Sequence, residues 1–137
     1  MGATATQTNV ASVRFPPPPT DLPSGAWTWR ELDRVGLRYL GAGMNLAEAT
    51  EPLIIEINEL TIGLLAYSWR DVQTTCATED SPGCAPLEEG LMLDAVGQLA
   101  PTVDLLIVLP HWGFCDYVFP IPEHVVLAEK LLLAGTN

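Results

Sequence analysis

The stretch VDLLIVLPHWGF, residues 103–114, decides the fold. Residues 103–109 are apolar except for Asp104, and a proline and a glycine follow, which is typical of a β-strand buried on both faces. In open α/β sheets, side chains that carry out chemistry lie just past the carboxyl ends of the strands. His111 stands at that place and is the strongest single candidate for a functional residue. The alternative is that His111 only packs against the strand end, and spacing alone does not separate the two.

The segments on either side of this strand have helical periodicity. Residues 87–100 carry two glutamates in their first turn, where negative charge favours a helix start, and Pro101 ends the pattern. Residues 122–134 begin with a proline and are followed by Gly135, as is common for helices. Their broad apolar face contains Val125, Val126, Leu127, Leu131 and Leu132. The order helix, buried strand, histidine loop, helix predicts a layered α/β fold.

The first half of the chain predicts shorter elements. A hairpin is expected from two strands at 52–57 and 61–68, with Gly63 marking close packing or a bulge. The irregular stretch 69–86 is expected to be a lid or a mobile insertion. The remaining expected elements are a helix at 30–36, a short strand at 37–40, a tight turn at 41–43 and a helical turn at 45–49 capped by Asn45.

Composition and charge exclude several classes of function. The chain is 48% hydrophobic and 17% charged, which suits one folded core in 137 residues. A formal net charge of -11 argues against nucleic-acid binding, which needs clustered Lys and Arg. No segment approaches the roughly 20 apolar residues that span a bilayer, and the amino terminus lacks the pattern of a secretory signal. The chain as given is therefore expected to be cytoplasmic, without a membrane span.

Two regions are expected. Residues 1–25 predict a disordered, Pro-rich segment, because four consecutive prolines at 16–19 favour an extended polyproline conformation. Residues 26–137 predict a partial folded domain.

Three cysteines cannot all pair with one another. Cys76 and Cys84 lie in one polar loop and could form a disulfide in an oxidising compartment, whereas free thiols are expected in a reducing cytosol. Cys115 is left over near His111, and an inert, half-buried thiol is the expected state.

Four stretches, in this order and spacing, resemble the bacterial capsule-synthesis or poly-γ-glutamate biosynthesis family known as CapA or PgsA. They are residues 36–43, the hairpin end at 62–67, residues 104–108, and His111-Trp112-Gly113. The helix after the His-Trp-Gly turn is also similar to that of the family. The resemblance covers residues 26–135. It implies an incomplete calcineurin-like metallophosphatase fold, an α+β sandwich of layered sheets flanked by helices.

The resemblance also implies a divalent metal site, with Mn or Zn in the intact family. Four motifs build that site: an early Gly-Asp, Asn-Asn-His, the His of His-Trp-Gly, and a late Gly-His-His-Pro-His. Only the third is present, at His111, and Asp116 stands near the place of the family's following glutamate. His111 and Asp116 are thus the expected metal ligands, no catalytic residue is assigned, and His124 is expected on the polar outer face of its helix. Two ligands are too few for a two-metal hydrolytic site, so this chain is expected to hold a metal weakly or not at all.

By resemblance, the chain is a fragment of a protein for capsule or poly-γ-glutamate synthesis or export, with little hydrolase activity of its own. The alternative is a non-catalytic α/β fragment or interaction module. A buried strand needs neighbours on both sides, and the hairpin supplies one, so flanking segments or a complementary chain are expected to complete the sheet beyond Asn137. The chain alone is expected to be marginally stable. The resemblance places the intact parent at a membrane or outside the cytoplasm.

Overall fold

Four α-helices and five strands form in the part of the chain that the computed structural model describes, residues 26–70, 74–114 and 118–137. The expected Pro-rich segment, residues 1–25, lies outside it, as do Cys115 and Asp116. The elements are α1 (Ala26–Arg34), β1 (Ala42–Gly43), α2 (Leu46–Ala49), β2 (Leu53–Ile57), β3 (Leu60–Ser68), β4 (Gly83–Cys84), α3 (Glu89–Leu99), a 3-10 helix (Ala100–Thr102), β5 (Leu105–His111) and α4 (Pro122–Ala134).

The main sheet has the strand order β2-β3-β5, with β2 and β3 antiparallel and β3 and β5 parallel. The expected hairpin is confirmed. Asn58 and Glu59 adopt positive φ angles of 47° and 70°, which suits a two-residue turn that follows the twist of the strands. The crossover from β3 to β5 passes through α3, so the helix–strand alternation gives the mixed α/β architecture that the sequence predicts.

Glycine at position 63 serves close packing and does not mark a bulge. The registers of β3 with both neighbours run through Gly63 without interruption, opposite Ile54 on one side and Leu106 on the other. A Cβ atom at Gly63 would lie 3.1 Å from Leu99 Cδ2 and 3.3 Å from Leu106 Cδ1. The end of α3 thus lies directly over the strand.

The core lies between this face of the sheet and the helices α3 and α4. Its fully buried large side chains are Leu65, Tyr67, Met92, Val96 and Leu106, with Leu127 and Leu131 from α4 beside them. Full burial of each such aliphatic side chain contributes about 1.5–3 kcal/mol. An ion pair between Lys130 and Glu89, 2.6 Å from Nζ to Oε1, joins the two helices at their exposed edge.

The expectation that β5 is buried on both faces is wrong. Leu106 points into the core and is 1% exposed, whereas Leu109 on the opposite face is 46% exposed. Among the described residues, β5 pairs with β3 alone, so the strand forms an edge of the sheet. On its outer side, Leu106 O accepts a hydrogen bond from Asn137 N at 3.0 Å, and Leu106 N donates to Asn137 Oδ1 at 3.0 Å.

The expected strand at 37–40 is also wrong. This segment is irregular, and the strand forms instead at β1, where a tight turn is expected, because Ala42 and Gly43 pair with β4. Gly43 packs so closely that a Cβ atom would lie 2.5 Å from Ala49 N. The expected cap of α2 is confirmed, since Asn45 Oδ1 accepts a hydrogen bond from Glu48 N at 2.9 Å.

In α4 the apolar face is wider than its buried stripe. Leu127 and Leu131 are buried, but Leu132 is largely exposed, as are Val125 and Val126 in part. The expected outward position of His124 is wrong, because its side chain is only 8% exposed. The helix ends at Gly135, whose φ of 119° is the left-handed conformation of a helix C-terminus, as the sequence predicts.

Candidate functional site

The candidate site lies where the parallel strands β3 and β5 end together. Ser68 and His111 are register partners, and Trp69 N donates a hydrogen bond to His111 O at 2.9 Å. His111 is the last residue of β5, and its side chain is exposed. The structure therefore places the sequence-predicted histidine at the carboxyl edge of the sheet, with its main chain fixed and its imidazole open to solvent.

Two further loops meet at this edge. Ser68 N donates to Ala85 O at 2.8 Å, and Leu87 N donates to Ser68 O at 2.9 Å, so the segment after β4 pairs with the end of β3 on the side opposite His111. Ala85 N in turn donates to Gly41 O at 2.9 Å. Gly41 approaches the strand so closely that a Cβ atom would lie 2.8 Å from Ala66 Cβ. The segments 41–43 and 83–87 thus line the edge beside β3.

Four aromatic rings hold the His-Trp-Gly turn against α4. His124 stacks on Trp112 with a centroid separation of 4.7 Å and an interplanar angle of 10°. Trp69 meets His124 edge-on at 5.3 Å, and Phe114 meets Trp69 edge-on at 5.0 Å. Gly113 provides the turn with a φ of 93° that other residues rarely adopt. The buried histidine is therefore a packing element that fixes the turn after His111.

A partly open cavity of about 410 Å³ lies beside this cluster. Apolar and aromatic side chains line most of it, and His124 is the titratable group in the lining. The lining residues are Trp112, Gly113, Phe114, Val118, Phe119, Pro120, Ile121, His124, Val125 and Ala128. The cavity is next to the histidine turn, but its lining offers few polar groups to orient a ligand.

One buried hydroxyl lies just before the site. Tyr67 is 2% exposed, and within the described residues its hydroxyl has no hydrogen-bond partner. Burial raises the pKa of Tyr67 to about 12, because the phenolate would lose its hydration. The hydroxyl thus stays protonated at neutral pH.

The described residues do not form a complete metal centre. No group of three or more His, Cys, Asp or Glu side chains comes together in the three described ranges. His111 offers one exposed imidazole, whereas a catalytic zinc normally takes three protein ligands. The structure keeps the two histidines in different roles, one exposed and one stacked, and Asp116 lies outside the described residues.

Two site residues were missed by sequence reasoning. Ser68 and Trp69 meet His111 because β3 and β5 are parallel and end in register. The signal was present, since Trp69 directly follows a long apolar strand, but the pairing of strands 43 residues apart cannot be read from spacing.

Comparison with known proteins identifies relatives. The family model of the bacterial capsule synthesis protein PGA_cap matches residues 25–137. The chain is 24% identical over 114 residues to the capsule biosynthesis protein CapA of Bacillus anthracis, covering 80% of this chain and 28% of that protein. It is 24% identical over 87 residues to the PGA biosynthesis protein CapA of Bacillus subtilis (strain 168), covering 63% of this chain and 23% of that protein. The chain thus spans about a quarter of the length of these relatives. Across the described ranges, no helix is long and apolar enough to cross a bilayer.

Proposed function

The chain belongs to the bacterial capsule synthesis protein family PGA_cap, and we propose on this ground that it takes part in the synthesis or export of a poly-γ-glutamate capsule. The family has a metallophosphatase-like fold, and the mixed sheet with its flanking helices has the α+β character of that fold. Both relatives named above carry capsule or PGA biosynthesis in their names, which supports a role of this chain in making that polymer.

Within that process, we propose that His111 is a metal ligand that this chain contributes to a larger site, with Asp116 as its companion. The observation that carries the proposal is the position of His111, exposed at the shared carboxyl edge of β3 and β5. A neutral imidazole nitrogen suits Zn²⁺, and a carboxylate suits Zn²⁺ or Mn²⁺.

The proposed site needs ligands beyond those of the described residues. A two-metal hydrolytic site holds both the attacking and the leaving oxygen and needs several ligands to fix the ions. One imidazole and one carboxylate meet only part of that need. We therefore expect the purified chain to bind a divalent ion weakly and to hydrolyse phosphodiesters no faster than a metal-only control.

Calorimetric titration of the full chain with Zn²⁺ and Mn²⁺ tests this proposal. We expect His111→Ala to weaken binding by about tenfold or more, since it removes one of few ligands, and Asp116→Asn to weaken it less. The matched control is Glu129→Gln, which removes an exposed carboxylate of α4 and should leave the affinity unchanged. Equal affinities for wild type and His111→Ala would exclude His111 as a ligand.

A non-catalytic interaction module is the second candidate function. The observation that favours it is the exposure of large apolar side chains on two faces of the molecule, among them Leu109 on β5 and Leu133 on α4. Exposed apolar surface of this kind is typical of protein contact sites when it is contiguous. Absence of metal binding together with concentration-dependent association would favour this reading over the metal site.

A further inference from the structure

Cys76 and Cys84 face one another across a short parallel bridge. Cys84 N donates to Thr75 O at 2.9 Å, and Ala77 N donates to Cys84 O at 2.9 Å, so the two cysteines are direct partners in the pairing. Neighbouring β-strands lie about 4.8 Å apart, and paired residues place their side chains on the same face. Disulfides span Cα separations of about 4.4–6.8 Å, so the pairing holds the two Cα atoms at a separation that a disulfide can span.

The surroundings keep this pairing rigid. Gly83 packs so tightly that a Cβ atom would lie 2.4 Å from Ala77 N. A turn between the two cysteines is closed by Thr78 N, which donates to Ser81 O at 3.0 Å. On its other side, Cys84 pairs with Ala42 of β1. The thiols are free, that of Cys76 in a buried residue and that of Cys84 in a half-buried one. Cys84 is therefore the more exposed residue of the pair and the first target for a small oxidant, and its register partner Cys76 can resolve the mixed disulfide.

We propose that Cys76 and Cys84 form a reversible disulfide that closes the loop beside the edge carrying His111. The Cys84 thiolate attacks one sulfur of a small disulfide such as glutathione disulfide, which forms a mixed disulfide and releases one glutathione. The Cys76 thiolate then attacks the Cys84 sulfur and displaces the second glutathione. The two cysteines lose two electrons and two protons, and the two glutathione thiols gain them.

The bond acts on the site through the main chain. Cys84 lies two residues before Pro86, which bridges to Ser68, and Ser68 is the register partner of His111. Oxidation closes the loop from Cys76 to Cys84 and so restricts the segment that carries β4. Hydrogen bonds of Ser68 with Ala85 and Leu87 join that segment to the end of β3 in both redox states. The disulfide is thus expected to stabilise the loop that lies against the site edge and not to supply chemistry.

A glutathione redox titration of the full chain, in a Cys115→Ser background, tests the proposal. Free thiols are trapped by alkylation, and the crosslinked peptide is quantified by mass spectrometry in native buffer and in denaturing urea. The quantity measured is the ratio of the glutathione disulfide concentration to the square of the glutathione concentration at which half of the chains are oxidised. If the native structure favours the pair, this ratio should be at least tenfold lower in native buffer than in urea. An equal or higher requirement in the native state would show that the fold does not favour the bond and would overturn the proposal.

Thermal unfolding provides a second readout. In the Cys115→Ser background we expect the oxidised chain to melt about 5–10 °C above its reduced form, since the bond restricts the unfolded chain. The control variant Cys84→Ser retains one thiol of the pair and should show no such difference between oxidising and reducing buffer. The same shift in Cys84→Ser would mean that another reaction causes it, and no shift in the parent would contradict a stabilising bond.

Discussion

Tyr67 is the residue at which the core departs from full hydrogen bonding. Its hydroxyl is buried and, in the described part of the chain, has no partner. A buried, unpaired polar group costs about 1–3 kcal/mol. We expect Tyr67→Phe to leave the free energy of unfolding at neutral pH unchanged or to raise it by about 1 kcal/mol, measured by urea unfolding. Tyr39→Phe is the matched control, because that side chain is partly exposed. If Tyr67→Phe instead lowered the free energy of unfolding by more than about 1 kcal/mol, the hydroxyl would have a hydrogen-bond partner, which would contradict this prediction.

The same tyrosine gives a pH dependence with a definite sign. Its pKa in the folded protein is raised to about 12 from an ordinary value of 10.0, so the folded state favours the protonated phenol. This contribution to stability is fully present below pH 10 and is lost as pH rises from about 10 to 12. Wild type should therefore lose about 2 kcal/mol more than Tyr67→Phe over that interval, measured by urea unfolding at each pH. Parallel curves for the two proteins would contradict the raised pKa.

At the scale of elements, two glycines carry opposite predictions. Gly63 in β3 lies against Leu99, Val103 and Leu106, and an added Cβ would be 3.1–3.3 Å from their side chains. We expect Gly63→Ala to destabilise the chain by about 1–3 kcal/mol through overpacking. Gly97 in α3 is exposed, with no atom within 4 Å of an added Cβ, so Gly97→Ala should stabilise the helix by about 0.5–1 kcal/mol. Thermal melts of the two variants check both signs, and stabilisation by Gly63→Ala would show that α3 moves away freely.

The elements that the sequence predicts correctly are those set by local chemistry. The hairpin around Asn58, the cap at Asn45 and the helix end at Gly135 depend on residues a few positions apart. The prediction of a strand at 37–40 is wrong because the strand forms where a pairing partner is available, and β1 pairs with β4, about 40 residues later. The prediction of an outward-facing His124 is wrong because its burial depends on contacts with Trp69 and Trp112, which are distant in sequence. The broad apolar face of α4 does not indicate which side of the helix faces the core.

In the candidate site too, the sequence predicts the features that depend on local residues and not those that depend on distant contacts. The strand-end position of His111 follows from the apolar run before it, and the structure agrees with that position. The closeness of Ser68 and of the segment after β4 follows from parallel pairing and a long connection, which local sequence does not specify. Asp116 lies outside the described residues, so its role as a ligand stays a prediction.

At the scale of the whole molecule, exposed apolar side chains on two different faces predict self-association. Leu109 on the edge strand β5 and Leu133 on α4, 89% exposed, offer apolar contacts, and among the described residues only Asn137 pairs with the outer side of β5. The net charge of -11 opposes association through repulsion, and salt screens that repulsion. We therefore expect sedimentation velocity to show oligomers that increase with protein concentration and with ionic strength.

Charged substitutions distinguish association through Leu109 and Leu133 from non-specific association. Leu133→Glu and Leu109→Lys should each weaken association at least tenfold, because full burial of a leucine is worth about 1.5–3 kcal/mol and a tenfold change corresponds to about 1.4 kcal/mol. Gln98→Glu adds the same charge as Leu133→Glu at an exposed polar position of α3 and serves as its control. If Gln98→Glu weakens association as much as Leu133→Glu, net charge and not the apolar face governs it. If the wild type is monomeric at all concentrations, the exposed edge and helix face do not bind a second copy of the chain.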